Sequence, residues 1–119
     1  MKRRLLGIDI GTSSVKATVI DSDGFVVAQS SQEHSLSSPN PGWAEESPQV
    51  WWSNTIQVIQ DCLAHPDVSP DQIVGVGTTG MVPAIVILDD QKQLIRPSIQ
   101  QNDARTAQEI IEFQKKIDP

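Results

Sequence analysis

The chain has one cysteine, Cys62, and no tyrosine among its 119 residues. A single thiol cannot close an internal disulfide, so a disulfide-stapled secreted scaffold is excluded. Basic residues are scarce: nine Lys and Arg stand against fifteen Asp and Glu, a formal charge of −6. With no basic stripe to neutralise phosphates, nucleic acid is not an expected partner. No apolar run reaches the length of a membrane span. The one basic cluster, Lys2-Arg3-Arg4, precedes an apolar run as in a signal peptide, but Asp9 and the turn after it interrupt that run too early. The Gly-x-x-x-x-Gly-Lys phosphate loop is missing, and no Ser, His and Asp arrangement suggests a catalytic triad. His34 and His65 lack a metal-ligand partner at useful spacing and read as structural. A cytoplasmic protein with no membrane partner is the expectation. The apolar fraction of 38% is adequate for a core, and the length suits one compact domain better than two.

What the chain does have is concentrated in Gly7-Ile8-Asp9-Ile10-Gly11-Thr12-Ser13-Ser14-Val15-Lys16. An apolar segment carries one carboxylate, Asp9, near its far end. A Gly/Thr/Ser turn follows, then a second β-branched segment. A charge within a strand is costly unless it has a partner. Beside a hydroxyl-rich glycine turn, a hydrated divalent cation is the cheapest one, and Mg²⁺ prefers oxygen ligands while keeping most of its waters. The turn itself offers N–H groups and hydroxyls suited to phosphate oxygens. Together these features read as a place for Mg-nucleotide phosphate.

Periodicity predicts strands at 5–10, 15–21 and 25–31, the latter two joined by Asp21-Ser22-Asp23-Gly24, a hairpin signal. The first three strands therefore form an antiparallel meander. Residues 34–46 break periodicity and read as a loop. A helix is predicted with Ser47 as N-cap and Pro48 at its first position, where a missing N–H costs nothing. Trp52, Thr55, Ile56, Ile59, Cys62 and Leu63 recur on its buried face, and His65-Pro66 ends it. Of the adjacent Trp51 and Trp52, one is expected in the core and the other under the preceding loop. After a short turn at 69–72, two more strands are predicted at 73–79, buried on both faces, and at 84–88. Residues 95–103 read as irregular, and Asp103 or Ala104 opens a last helix. A crossover helix after a meander returns the fourth strand parallel to the first. That topology sets Asp9 and Gly11 at the same sheet edge as Thr78, Thr79 and Gly80, where open α/β sheets bind ligands.

The pattern Asp9-x-Gly11-Thr12-x-x-x-Lys16 resembles the first phosphate motif of the actin, Hsp70 and sugar-kinase superfamily. Pro41-Gly42-Trp43-x-Glu45 with Pro48-x-x-Trp51-Trp52, and Arg96-Pro97-x-Ile99-x-x-Asn102-Asp103-x-Arg105, are similar in order and spacing to FGGY carbohydrate kinases. The resemblance runs through the whole chain. It implies an α/β fold of the ribonuclease-H-like, actin-like ATPase type, a mixed sheet with an antiparallel three-strand meander and a crossover helix. It implies ATP-dependent phosphorylation of a sugar or polyol hydroxyl, with ATP and Mg²⁺. Residues 1–119 correspond to the N-terminal part of the first of two domains. The expectation is therefore a fragment that lacks the second domain and is inactive alone, with its general base beyond residue 119. A homodimer is among the assemblies allowed for the full-length protein.

Residue by residue, the resemblance puts Asp9 beside Mg²⁺, through water, and Gly11, Thr12, Ser13 and Lys16 at phosphate. Gly80, Met81, Val82, Gln101, Asn102, Asp103 and Arg105 become candidate sugar contacts. Trp43 reads as a packing anchor, and Asp103 doubles as the N-cap of the last helix. Two departures stand out. Xylulokinases carry Gln-Met-His-Gly where this chain has Gly80-Met81-Val82-Pro83, and many members have tryptophan at the position of Gln101. An alternative from another class is a non-catalytic actin-like nucleotide-binding or scaffold module. A third is an interaction domain whose glycine turn binds nothing.

Overall fold

The computed structural model describes residues 2–117. These form two compact units, one from 2–35 and 48–81, the other from 36–47 and 82–117. The first unit is a sheet with one helix. Its strands are β1 (Arg4–Ile10), β2 (Ser14–Asp21) and β3 (Val26–Glu33). In the second unit a two-residue strand, β4 (Glu45–Glu46), follows. The chain then returns to the first unit as α1 (Pro48–Leu63), a 3₁₀ turn at Pro70–Gln72, and β5 (Ile73–Gly80). The second unit is completed by β6 (Ser98–Ile99) and α2 (Ala107–Ile117).

The sheet of the first unit has the order β3-β2-β1-β5. β1 pairs antiparallel with β2 and parallel with β5, the topology the crossover argument predicts. Asp21 closes the β2–β3 hairpin. Its Oδ1 accepts the N–H groups of Asp23 (3.0 Å) and Phe25 (2.9 Å), while Gly24 supplies the left-handed conformation at φ 87°.

Alternation along the strands separates the two faces of this sheet. Leu6, Ile8, Val15, Ala17, Val19 and Ala28 point to one side and meet Val58 and Cys62 of α1, with Val68 closing the cluster. Polar ties fix the helix on that face: Ser30 donates to Asp61 at 2.7 Å, and the Asn54 amide donates to the Glu33 carbonyl at 3.2 Å. Arg4, one of the three leading basic residues, is buried and donates to the Asp67 carbonyl at 3.2 Å. On the other side, Gly7, Asp9 and Lys16 are exposed.

Several expectations are corrected. The buried stripe of α1 is Trp51, Thr55, Val58 and Cys62, rotated from the one expected; Trp52 is 68% exposed and Ile56 also faces out. Trp52, Ile56, Ile59 and Leu63 supply a second apolar stripe with the same spacing, so periodicity alone did not select between them. Buried Thr55 satisfies its hydroxyl on the Trp51 carbonyl at 2.7 Å. β5 is not buried on both faces: Val74 and Val76 are exposed, because α1 packs over β2 and β3 and leaves the β5 edge of its own face uncovered. Residues 84–88 form no strand. Only an isolated Leu88–Leu94 bridge forms, around a turn in which Asp89 Oδ1 accepts the N–H groups of Gln91 and Gln93. The last helix starts at Ala107 rather than Asp103 or Ala104: Asp103 accepts the Arg105 N–H two residues on, but residues 105–106 form a turn before the helix begins. Asp103 is therefore not its N-cap. Ile110, Ile111, Phe113 and Ile117 of α2 are all exposed.

Candidate functional site

At the carboxyl end of β1 the backbone turns through Gly11, Thr12 and Ser13 into β2, closed by the Gly11 N–H donating to the Ser14 carbonyl at 2.9 Å. A Cβ on Gly11 would lie 3.2 Å from that same oxygen, so the tight turn favours glycine. Asp9 pairs across the sheet with Lys16 on β2 and with Thr79 on β5. Two residues back, Gly7 pairs with Thr18 and Gly77. Period-two alternation puts these residues on the sheet face opposite α1. There they line an open depression of about 460 Å³, together with Ile8 and Thr78. Its floor is bare backbone: a Cβ on Gly77 would meet nothing within 4 Å.

The Asp9 carboxylate has neither an ion pair nor a hydrogen bond to any described residue. Thr12 and Ser13 are exposed on the turn beside it. Lys16 lines the depression and also a neighbouring polar hollow of about 470 Å³ formed with Ser13, Ser14, Ser31, Glu33, His34 and Ser35. No group of three or more His, Cys, Asp or Glu with metal-binding geometry occurs among the described residues. One unpaired carboxylate among hydroxyls suits a hard cation that keeps most of its waters, and not a protein-caged metal. Gly80 ends β5 close against β1, where a Cβ would come within 3.3 Å of the Ile10 carbonyl, and the Met81 N–H donates to that carbonyl at 2.9 Å.

The second unit holds a different polar cluster. Arg105 Nη2 reaches Glu45 Oε1 at 2.8 Å and Asp103 Oδ2 at 2.7 Å, and Arg105 Nε reaches Asp103 Oδ1 at 2.9 Å. Arg96 adds a second contact to Glu45 Oε1 at 3.1 Å. The Arg105 guanidinium lies 3.8 Å over the ring of Trp43, a cation–π contact. Trp43 thus serves as an anchor, in agreement with the packing role expected of it. The Arg105 hydrogen bond, above all, holds the Asp103 carboxyl well below the usual carboxylate range; backbone N–H groups of Ala44 and Arg105 add to this, and desolvation opposes it. Reciprocally, Asp103 first and Glu45 after it raise the Arg105 guanidinium. Gln101 and Asn102 are exposed on the turn preceding Asp103, and Val82 is exposed near the start of the segment 82–117.

The structure therefore brings Asp9, Lys16, Thr78 and Thr79 to one depression beside the Gly11–Ser13 turn, and it groups Asp103 and Arg105 with Glu45, Arg96 and Trp43. Sequence reasoning missed Gly7, Thr18 and Gly77. Strand alternation counted back from Asp9, with the register across β1, would have found them. It also missed Glu45 as an ion-pair partner, because its bonds to Arg96 and Arg105 span 51 and 60 residues.

A three-strand meander continued by a parallel strand through a crossover helix, with a glycine turn at the carboxyl end of β1, is the ribonuclease-H-like arrangement of actin-like ATPases. The family model for the N-terminal domain of FGGY carbohydrate kinases matches residues 4–119, and the chain belongs to that family. It is 35% identical over 112 residues to a xylulose kinase from Klebsiella pneumoniae, across 94% of this chain and 23% of that protein. It is 36% identical over 89 residues to a glycerol kinase from Bacillus mycoides (strain KBAB4), across 75% of this chain and 18% of that protein. The crystal structure of xylulose kinase from Rhodospirillum rubrum superposes with a TM-score of 0.90 at 42% identity, across 98% of this chain and 24% of that one. The chain thus spans about a quarter of the length of these xylulose kinases and less of the glycerol kinase. Among the described residues no helix is long and apolar enough to cross a membrane.

Proposed function

We propose that the protein carrying this chain transfers the γ-phosphoryl group of ATP to a hydroxyl of a sugar or polyol, and that residues 1–119 supply its phosphate-facing hairpin as the N-terminal part of the first kinase domain. The observation that carries this reading is the exposed, unpartnered Asp9 carboxylate beside the Gly11-Thr12-Ser13 turn, on a face whose floor is bare glycine backbone. In such a transfer the acceptor oxygen bonds to the γ-phosphorus, the bond to the β-phosphate oxygen breaks, ADP leaves, and the hydroxyl proton passes to a base. The chain's contribution is positioning and charge, which dominate this chemistry.

Asp9 would hold a hydrated Mg²⁺ through water, and that ion when bound would neutralise charge on the β- and γ-phosphates. Gly11 lets the backbone come close to a phosphate oxygen. Thr12 and Ser13 donate hydroxyls, and Lys16 offsets phosphate charge across the sheet from Asp9. Gly80, Met81, Val82, Gln101 and Asn102 are the proposed acceptor contacts, with Asp103 and Arg105 in the same segment as the last two. The departures at Gly80–Pro83 and at Gln101 leave pentuloses, hexuloses, gluconate and polyols all as candidates. Dependence on ATP makes the cytoplasm the proposed setting. ADP release by the full-length protein, assayed across a panel of these acceptors with Mg-ATP, tests the reading. Release that depends on one acceptor class is expected. No release with any of them would favour the non-catalytic nucleotide-binding module instead.

A further inference from the structure

The segment after β6 turns back on itself at Gln100–Asp103, where the Asp103 N–H donates to the Gln100 carbonyl at 3.0 Å. Both ends of this turn are fixed. Gln100 is buried; its N–H donates to the Ala44 carbonyl at 2.9 Å and its side-chain amide donates to Ser98 Oγ at 3.1 Å. At the other end the Asp103 side chain is 2% exposed. Its Oδ2 accepts the Ala44 N–H at 2.6 Å and Arg105 Nη2 at 2.7 Å. Its Oδ1 accepts the Arg105 N–H and Arg105 Nε, both at 2.9 Å. A carboxylate has about four lone-pair sites, and these four donors occupy them. Asp103 has no capacity left for a ligand hydroxyl unless one of these bonds breaks.

The two residues between the fixed ends differ. Gln101 and Asn102 are exposed, and neither side chain bonds a described residue. Each presents an amide with a donor and an acceptor side, the combination that matches a hydroxyl. Arg105 ties the far end of the turn to β4 through Glu45, and its guanidinium is sandwiched between that ion pair and the Trp43 ring. A turn held this rigidly loses little further freedom when a ligand binds.

We propose that Asp103 is a positioning residue. With Arg105 and Glu45 it presets the Gln100–Asp103 turn so that the amides of Gln101 and Asn102, and not the carboxylate, read the acceptor's hydroxyls. This rests on the reading that the acceptor is a sugar or polyol.

Steady-state kinetics of the full-length protein test it with Asp103→Asn, Glu45→Gln and Asn102→Ala, using the preferred acceptor and analogues that each lack one hydroxyl. Asp103→Asn is expected to raise the acceptor KM roughly 3- to 10-fold, the weight of a hydrogen bond or so. It should raise it alike for every analogue, with kcat and the KM for ATP held. Asn102→Ala should instead erase the discrimination against one analogue. Glu45→Gln, which leaves the Asp103–Arg105 pair in place, should act like Asp103→Asn but more weakly, and it carries the test if Asp103→Asn fails to fold. Loss of discrimination against a single analogue in Asp103→Asn would mean that the carboxylate itself touches the ligand, and would overturn the inference. So would an unmoved acceptor KM in both Glu45→Gln and Asp103→Asn with an active wild type. A wild type inactive on every acceptor would overturn the kinase reading and this inference with it.

Discussion

Asp9 in the first unit and Asp103 in the second are both carboxylates next to a turn, yet their surroundings are opposite. The Asp9 carboxylate is exposed and bonds no described residue, while Asp103 has its oxygens filled by a guanidinium and by backbone N–H groups. The same contrast runs through their neighbourhoods. Around Asp9 the sheet is floored by Gly7 and Gly77 and flanked by hydroxyls; around Asp103 lie Arg105, Glu45 and Trp43, each committed to another. A carboxylate without a partner is available to a cation from solution. A carboxylate with four donors is scaffold, and removing it strands its partners.

The largest effect expected is at the bare end. Asp9→Asn should lower phosphoryl transfer by the full-length protein about 100-fold or more while leaving its thermal midpoint close to wild type. Calorimetric melting alongside ADP release checks this, and a collapse in stability would break the contrast by making Asp9 structural. The next effect separates the two sides of α1. Val58→Ala removes two fully buried methyl groups and should cost about 2 kcal/mol in urea unfolding. Ile56→Ala, on the outward side of α1, should change stability by about 0.5 kcal/mol or less. Comparable losses at both sites would put the buried stripe of the helix back where periodicity first suggested it.

The smallest effect is in pH. The Asp103 carboxyl is held below its ordinary value by Arg105, so the folded state binds its proton less readily than the unfolded chain does. Its contribution to stability is complete above the unfolded carboxylate value of about 3.9 and is lost as pH falls below that toward the depressed folded value. The stability difference between wild type and Asp103→Asn should therefore be constant near neutrality and shrink below about pH 4, as read by urea titration. A gap that persists in acid would mean that the Asp103 charge does not hold the turn.

Much of the first unit was legible in the sequence. Alternation gave the three strands of the meander to within a residue or two, Asp21 and Gly24 their hairpin, Ser47-Pro48 the start of α1, and the crossover rule the parallel place of β5. Period two also fixes that Asp9 faces away from Ile8, whatever else the chain does. The second unit was far less readable. Residues 84–88 look like a strand by composition, but strand formation needs a partner edge, and the described residues supply only the Leu88–Leu94 bridge. Asp103 looks like a helix cap and does accept the Arg105 N–H two residues on, but its other three bonds go to the distant Ala44 N–H and to the Arg105 guanidinium, and the helix begins only at Ala107.

By itself, then, the sequence determined what short-range chemistry controls: strand alternation, turn residues, the glycine bend beside Asp9, and the spaced motifs of a carbohydrate-kinase family. Tertiary structure alone decided which stripe of α1 is buried, which face of the sheet stays bare, and that Glu45 reaches across 60 residues to Arg105. The reason is one of range. A local rule sees neighbours within a turn or a pleat, whereas burial and ion pairing depend on which distant segments the fold brings together.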